Sequence, residues 1–112
     1  MRRLCGLDEI ADGEARGFDF GRGAEPREVF LVRDGRRVHG YVNSCPHLGT
    51  PLEFNPDGFL TADGSFILCS THGALFRIAD GHCVAGPCAG LALTPLELEI
   101  AADGSVYLKG PR

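Results

Sequence analysis

Two short segments of the sequence each pair a cysteine with a histidine. The first reads Cys45-Pro46-His47, and the second places His72 three positions after Cys69. Twenty-one residues separate His47 from Cys69, and each segment runs into a glycine soon after its histidine. Glycine lets the backbone turn sharply around a bound group. The two segments can therefore each present one thiolate and one imidazole to a common point.

These four side chains fit more than one metal chemistry. Two thiolates and two imidazoles can hold a tetrahedral zinc ion. Structural zinc sites usually take two cysteines from one loop and two histidines from another, whereas each loop of this chain is mixed. Mixed loops suit a binuclear iron centre, in which both thiolates bind one iron and both imidazoles bind the other. The iron centre is the favoured interpretation, and a structural zinc domain stays open as the alternative.

The secondary structure around these residues is predicted to consist of short antiparallel strands. Runs of apolar and β-branched residues predict the stronger strands, with a weaker one at 3–7, and residues 13–26 are predicted to be irregular. Asp-Gly pairs separate many of the runs and indicate tight turns. The cysteine–histidine segments follow two of these strands. The stronger strands are predicted at 29–33, 37–42, 65–68, 75–78, 96–100 and 106–108.

Composition agrees with an all-β domain and excludes several classes of protein. The chain has 112 residues, of which 16 are glycine and 7 proline, so long helices are not expected. The net charge of −4 argues against a nucleic-acid partner, and no apolar run is long enough for a membrane helix. Five cysteines are an odd number, which disfavours a disulfide framework. We expect one domain over residues 1–112.

The sequence resembles the Rieske family of [2Fe–2S] proteins. The resemblance covers residues 29–100. It rests on the segment from Cys45 to Gly49, on Cys69 with His72 and Gly73, and on Phe76, Gly81 and Gly86-Pro87. The fold that it implies is an antiparallel β-sandwich with a small inserted cluster-binding subdomain at about 43–90.

The resemblance also implies a role for each site residue. Cys45 and Cys69 would bind the inner iron of a [2Fe–2S] cluster, and His47 and His72 would bind the outer, more exposed iron. A third loop, Gly86-Pro87, would shield the cluster. No catalytic residue is expected.

Departures from the membrane-complex branch of the family indicate a soluble, ferredoxin-like member. That branch has a disulfide between its ligand loops, at positions where this chain has Thr50 and Thr71. It also has a serine that donates a hydrogen bond to a bridging sulfide, where this chain has Ala74. Hydrogen bonds to the sulfurs raise the reduction potential, so we expect a low potential, on the order of −150 mV.

The expected function is one-electron transfer to a partner oxygenase or reductase. No segment resembles a flavin or nicotinamide site, so the chain alone is not expected to be an enzyme. We expect a cytoplasmic protein with redox protein partners, and neither nucleic acid nor membrane among them. The alternative is a redox-sensing or binding module that uses the same cluster.

The remaining residues of interest have structural explanations. Cys5 is expected in the core, His39 on the surface or on a strand face, and His82 on the surface. Cys83 and Cys88 are expected to pack as thiols under the shielding loop. Residues 45–73 contain three carboxylates and no Lys or Arg, which is either a solvated loop or an acidic face for a basic partner. Within it, residues 54–64 are predicted to form an added hairpin.

Overall fold

The computed structural model describes residues 2–24, 26–46, 51–53, 57–70, 73–88 and 90–111, with side chains to residue 109. Nine strands make up its regular structure, together with a single 3-10 turn at Leu7–Glu9. Within these described ranges, no helix is long and apolar enough to cross a membrane. The strands are β1 (Arg2–Gly6), β2 (Ala15–Asp19), β3 (Glu28–Asp34), β4 (Arg37–Val42), β5 (Phe66–Cys69), β6 (Ala74–Arg77), β7 (Cys83–Ala85), β8 (Leu96–Ile100) and β9 (Ser105–Pro111).

The strands form three antiparallel sheets of three strands each. The orders are β1-β9-β8, β2-β3-β4 and β5-β6-β7. The second sheet lies between the other two, because β3 is buried on both faces. Its Val29 and Leu31 pack in apolar clusters with residues of the first sheet, whereas Phe30 and Val32 pack in a cluster with residues of the third. Alternation of side chains along a strand produces this division.

Segments beside the third sheet join it to the middle sheet. Phe59 is fully buried and stacks on Phe30, with ring centroids 4.4 Å apart. Backbone hydrogen bonds join this segment to β5. Leu68 N donates to Phe59 O at 2.8 Å, and Thr61 N donates to Phe66 O at 2.9 Å. The described part of the predicted added hairpin therefore pairs with β5 and fills the core, and residues 54–56 lie outside the described residues.

Most of the predicted strands are present, but two strands were missed. The region 13–26 was predicted to be irregular, yet it contains β2, which pairs with β3 from Ala15↔Val32 to Asp19↔Glu28. The alternation of buried and exposed residues along β2 is weak, because three of its five residues are only partly buried. The three-residue β7 was missed as well, because it is short and has two exposed residues. Pairing with neighbouring strands, rather than local pattern, stabilises both elements.

The turn between β3 and β4 lies between the two strands predicted at 29–33 and 37–42. Asp34 pairs with Arg37, so the two central residues are Gly35 and Arg36. Gly35 has a φ of +63°, as the first central residue of a type II′ turn requires.

Candidate metal centre

The first ligand loop leaves β4 and is held at its base by Asn43. Asn43 is buried and its backbone N–H donates to Glu28 O at 2.9 Å. Its side-chain Oδ1 accepts a hydrogen bond from Leu52 N at 2.9 Å, and its Nδ2 donates to Glu53 Oε1 at 2.9 Å. One amide therefore closes the loop that contains Cys45, which is itself 1% exposed.

The second ligand loop connects two paired residues at the end of a hairpin. Cys69, the last residue of β5, pairs with Ala74, the first residue of β6, and both are fully buried. Gly73 N donates to Cys69 O at 2.8 Å, and Gly73 has a φ of +71°. Ser70 N donates to Leu52 O at 2.8 Å, which ties the second loop to the base of the first.

The third loop, 86–90, lies at the tip of another hairpin. Cys83 N donates to Leu91 O and Leu91 N donates to Cys88 O, each at 2.9 Å. Gly86 has a φ of +97° and lies against the second ligand loop: a Cβ atom at this position would be 2.8 Å from the Cα of Ala74. No side chain fits between them, so only glycine permits this approach of the third loop to the second.

Four of the five cysteines lie in one buried cluster beneath these loops. They are Cys45, Cys69, Cys83 and Cys88. Cys88 Sγ donates a hydrogen bond to Cys83 Sγ at 3.0 Å, and Cys83 Sγ donates to the carbonyl oxygen of Ala85 at 3.2 Å. Burial, followed by the adjacent sulfurs of Cys83 and Cys45, raises the pKa of Cys88 to about 12. Cys88 is therefore a protonated thiol at neutral pH.

The acidic residues of segment 45–73 each accept hydrogen bonds from other residues of the chain. Glu53 accepts from Asn43, Asp57 Oδ1 accepts from Gly17 N at 2.8 Å, and Asp63 Oδ1 accepts from Thr61 Oγ1 and Ser65 N. Those two Asp63 hydrogen bonds lower the pKa of this carboxyl group. These bonds give all three carboxylates a structural role in loop geometry.

Two of the four predicted ligands, His47 and His72, lie outside the described residues, as do Thr50 and Thr71. Among the residues that the structure does describe, no group of three or more His, Cys, Asp or Glu side chains is arranged to hold a metal ion. The structure brings Cys45 and Cys69 into one cluster, and it places Gly86 and Pro87 at the surface.

The other residues singled out in the sequence occupy the expected environments. Cys5 is 1% exposed and lies in the apolar cluster between the first two sheets. His82 is exposed and His39 is half-buried on β4.

The role of Asn43 was not predicted from the sequence. A polar residue at the end of an apolar strand, two positions before a candidate ligand, is the signal that points to it. This signal does not specify a partner, because the partners of Asn43, Leu52 and Glu53, follow it in the sequence by 9 and 10 residues.

Comparison with known proteins gives the family. The Rieske [2Fe–2S] domain model matches residues 2–95. No curated protein matches the chain significantly. Among solved structures, the Sphingomonas yanoikuyae B1 ferredoxin is 27% identical with a TM-score of 0.72, and the match covers 97% of both chains.

Two further structures show the same fold at lower identity. The ferredoxin of carbazole 1,9a-dioxygenase from Nocardioides aromaticivorans IC177 is 24% identical with a TM-score of 0.73, over 100% of both chains. A chain in a complex of reduced oxygenase and oxidized ferredoxin in carbazole 1,9a-dioxygenase is 24% identical with a TM-score of 0.73, over 95% of this chain and 89% of that one. The all-β antiparallel Rieske-type fold expected from the sequence is confirmed. The chain belongs to the Rieske [2Fe–2S] domain family, whose cofactor is a [2Fe–2S] cluster.

Proposed function

We propose that the chain is a one-electron carrier in which Cys45 and Cys69 bind the inner iron of the cluster and His47 and His72 bind the outer iron. The observation that carries the proposal is the placement of two buried cysteines on two loops that are joined by the Ser70–Leu52 hydrogen bond. Thiolates are soft ligands that suit iron–sulfur clusters. The described cysteines therefore fit the thiolate half of such a cluster.

The four ligands determine the net charge of the oxidised cluster and thereby its reduction potential. When bound, the cluster supplies a centre that accepts and releases one electron. Two ferric ions, two sulfides and two thiolates sum to zero charge, since neutral imidazoles add nothing. Four thiolates would give a charge of −2, so an electron is added more easily with the mixed set, and the potential is higher.

The surrounding residues favour a reduction potential at the low end of the range for this type of cluster. Ala74 is fully buried and has no hydroxyl group to donate toward a sulfide. Gly86 lies directly on Ala74, which supports a role for Gly86-Pro87 in shielding the cluster from water. The potential proposed for this arrangement is on the order of −150 mV.

An oxygenase, or a reductase that precedes it, is the partner we propose. The similar Nocardioides ferredoxin is that of carbazole 1,9a-dioxygenase, and a further similar chain is part of a complex of reduced oxygenase and oxidized ferredoxin. Val84 and Leu91 flank the third loop and are 45% and 47% exposed, although both are large apolar side chains. They give a redox protein an apolar contact beside the proposed cluster.

The proposal also covers the organisation of the chain and its location. Residues 43–90 form the cluster-binding subdomain of a single Rieske domain over residues 1–112. The hydrogen bonds of Asn43 at one end, and those of Leu91 at the other, support these limits. Thr50 and Thr71 leave the ligand loops without a disulfide, which fits a reducing compartment such as the cytoplasm.

Stopped-flow electron transfer tests the carrier function. Dithionite-reduced protein, freed of excess reductant, is mixed with oxidised cytochrome c, and we expect one equivalent of cytochrome to be reduced per cluster. Repeated cycles of reduction and oxidation should leave the visible absorption of the cluster unchanged. Loss of iron in each cycle would contradict a carrier and favour a sensor that responds by losing its cluster.

A further inference from the structure

Cys83 and Cys88 are two buried thiols in direct contact at the base of the third loop. Cys88 Sγ donates a hydrogen bond to Cys83 Sγ at 3.0 Å, and Cys88 is 0% exposed while Cys83 is 6% exposed. The two sulfurs need to approach by only about 1 Å to reach the length of an S–S bond, which is about 2.05 Å. Neither residue is among the four proposed cluster ligands, so the pair is available for chemistry of its own.

A bond between these sulfurs would close a ring of six residues that includes the start of the third loop. Cys83 is the first residue of β7, and Cys88 follows it by five positions. The four residues between them, 84–87, are all exposed. They include Gly86, which lies against Ala74 of the second ligand loop. A disulfide would therefore fix the backbone that the proposed function assigns to shielding the cluster.

The two cysteines differ in their access to solvent. Cys83 has a small exposed fraction and is followed by four exposed residues, whereas Cys88 has no exposed surface. A small oxidant therefore reaches Cys83 first, and Cys88 can react only with a sulfur that is already beside it. Cysteines that respond to oxidation are often paired in this way with a neighbouring resolving cysteine.

We propose that Cys83 and Cys88 form a redox modification site, at which a small disulfide such as oxidised glutathione is reduced and a Cys83–Cys88 bond is formed. The sulfur of Cys83 attacks one sulfur of the small disulfide, so that a mixed disulfide forms and one thiol leaves with the proton of Cys83. Cys88 then attacks Cys83 Sγ, the mixed disulfide breaks, and a second thiol leaves with the proton of Cys88. Two electrons pass from the two cysteines to the small disulfide.

The consequence for the cluster rests on the proposed function, in which the third loop covers it. A cross-link removes open conformations of the chain segment that it closes. Oxidation of the pair should therefore slow the release of iron, whereas the reduced pair is held only by one hydrogen bond between its sulfurs. Disulfides in reducing compartments are usually transient and respond to oxidation, which fits a reversible modification of this kind.

Tryptic peptides report the state of this pair separately from the ligand cysteines. Cleavage after every Lys and Arg gives one peptide, 78–109, whose only cysteines are Cys83 and Cys88, and another, 38–77, with both proposed ligand cysteines. The holoprotein is incubated with dithiothreitol or with oxidised glutathione, unfolded in excess alkylating agent and digested. After dithiothreitol, peptide 78–109 should carry two alkyl groups. After oxidised glutathione it should carry none and lack two hydrogen atoms, while peptide 38–77 stays fully alkylated.

Two matched variants test the order of the steps, since each removes one sulfur of the pair. With oxidised glutathione, Cys88→Ser should stop at the mixed disulfide on Cys83, because the resolving sulfur is absent. Cys83→Ser should gain no glutathione, because the buried Cys88 is not reached. Release of iron to a chelator, followed by visible absorbance after removal of the reagents, should be slower for the oxidised parent and unaffected by the same treatment in Cys83→Ser.

The possible results distinguish this inference from the proposed function. Two alkyl groups on peptide 78–109 after both treatments would overturn the inference, as would a Cys83–Cys88 bond that dithiothreitol does not reduce in the folded protein. Equal rates of iron release in the two states would overturn the effect of the ring on the cluster. The peptide analysis does not depend on the cluster, so a protein without equivalent iron and sulfide would overturn only the proposed function. If a variant does not fold, the peptides of the parent still decide whether the bond forms.

Discussion

Gly86 determines how closely the third loop approaches the second ligand loop. Two separate features require glycine at this position. Its φ is +97°, and a Cβ atom here would be only 2.8 Å from the Cα of Ala74. Gly90 in the same loop has a similar φ of +90°, but a Cβ there would have no neighbour within 4 Å. Substitutions at the two glycines therefore distinguish the cost of backbone strain alone from the added cost of direct contact with Ala74.

We predict that Gly86→Ala destabilises the protein more than Gly90→Ala. Strain at positive φ costs about 1–3 kcal/mol at either position. Only Gly86→Ala must also displace the backbone of Ala74. The measurement is the urea concentration at which half of the cluster absorption is lost. Equal values for the two variants would mean that the third loop does not press on Ala74.

Tyr41 links β4 to the turn that follows β6. Its hydroxyl group donates to Ile78 O at 2.6 Å, and burial, followed by the nearby Asp80, raises its pKa to about 12. The unperturbed pKa of tyrosine is about 10. Between these two values the unfolded chain loses the phenolic proton while the folded protein keeps it, so stability falls as the pH rises from about 10 to about 12.

We predict that Tyr41 ionises near pH 12 in the folded protein. Tyr107 is the only other tyrosine, so the Tyr107→Phe variant leaves Tyr41 as the single phenol for an absorbance titration. The same variant, unfolded in urea, gives the reference titration. An ionisation near pH 10 in the folded protein would contradict the buried hydrogen bond to Ile78.

At the scale of elements, Asn43 joins the end of β4 to the return of the first ligand loop. The bond from Leu52 N to Asn43 Oδ1 is buried, whereas the bond from Asn43 Nδ2 to Glu53 is only partly buried. Leu52 also accepts from Ser70 at 2.8 Å. Loss of the Asn43 side chain would therefore loosen both ligand loops together.

We predict that Asn43→Ala lowers the free energy of unfolding by about 1–3 kcal/mol, because a buried backbone N–H loses its acceptor. Loss of the cluster on dilution into chelator should be faster as well. Glu53→Gln keeps a carbonyl acceptor for Asn43, and it should cost less than about 1 kcal/mol. If both variants release iron at the parent rate, Asn43 does not hold the loop.

The segment that contains Phe59 contributes to the core beside the ligand loops. Gly17 on β2 gives the Phe59 ring space, since a Cβ there would be 3.0 Å from the ring. Phe59 in turn stacks on Phe30 of β3. The segment between the two ligand loops is therefore packed on the middle sheet, and it helps to fix the second loop relative to the first.

At the scale of the whole molecule, the strong strands could be predicted because their patterns are local. β3 is a continuous apolar run that is buried on both faces, and the alternation of β8 places Glu97 and Glu99 outside. β2 and β7 have weak patterns and exist because neighbouring strands pair with them. Pairing of this kind is not contained in a local window of sequence.

The candidate site likewise has some features that could be predicted from the sequence and others that could not. Residue types and spacing predicted Cys45 and Cys69 as ligands, and the structure places both in one buried cluster, while their binding of iron stays a prediction. The hydrogen bond from Leu52 N to Asn43 Oδ1 and the close approach of Gly86 to Ala74 depend on how the loops pack, so spacing alone could not predict them. The exposed Val84 and Leu91 also depend on the fold, since apolar residues are expected to be buried.

The most direct test of the central claim is an electron paramagnetic resonance spectrum of the dithionite-reduced protein, recorded with metal and sulfide analysis of the same sample. A mixed-ligand cluster at Cys45, His47, Cys69 and His72 predicts two iron atoms and two sulfides per chain and a low average g value. His72→Ala should abolish both the signal and the visible absorption. Zinc without sulfide, or a signal that survives in His72→Ala, would contradict a Rieske cluster at these four residues.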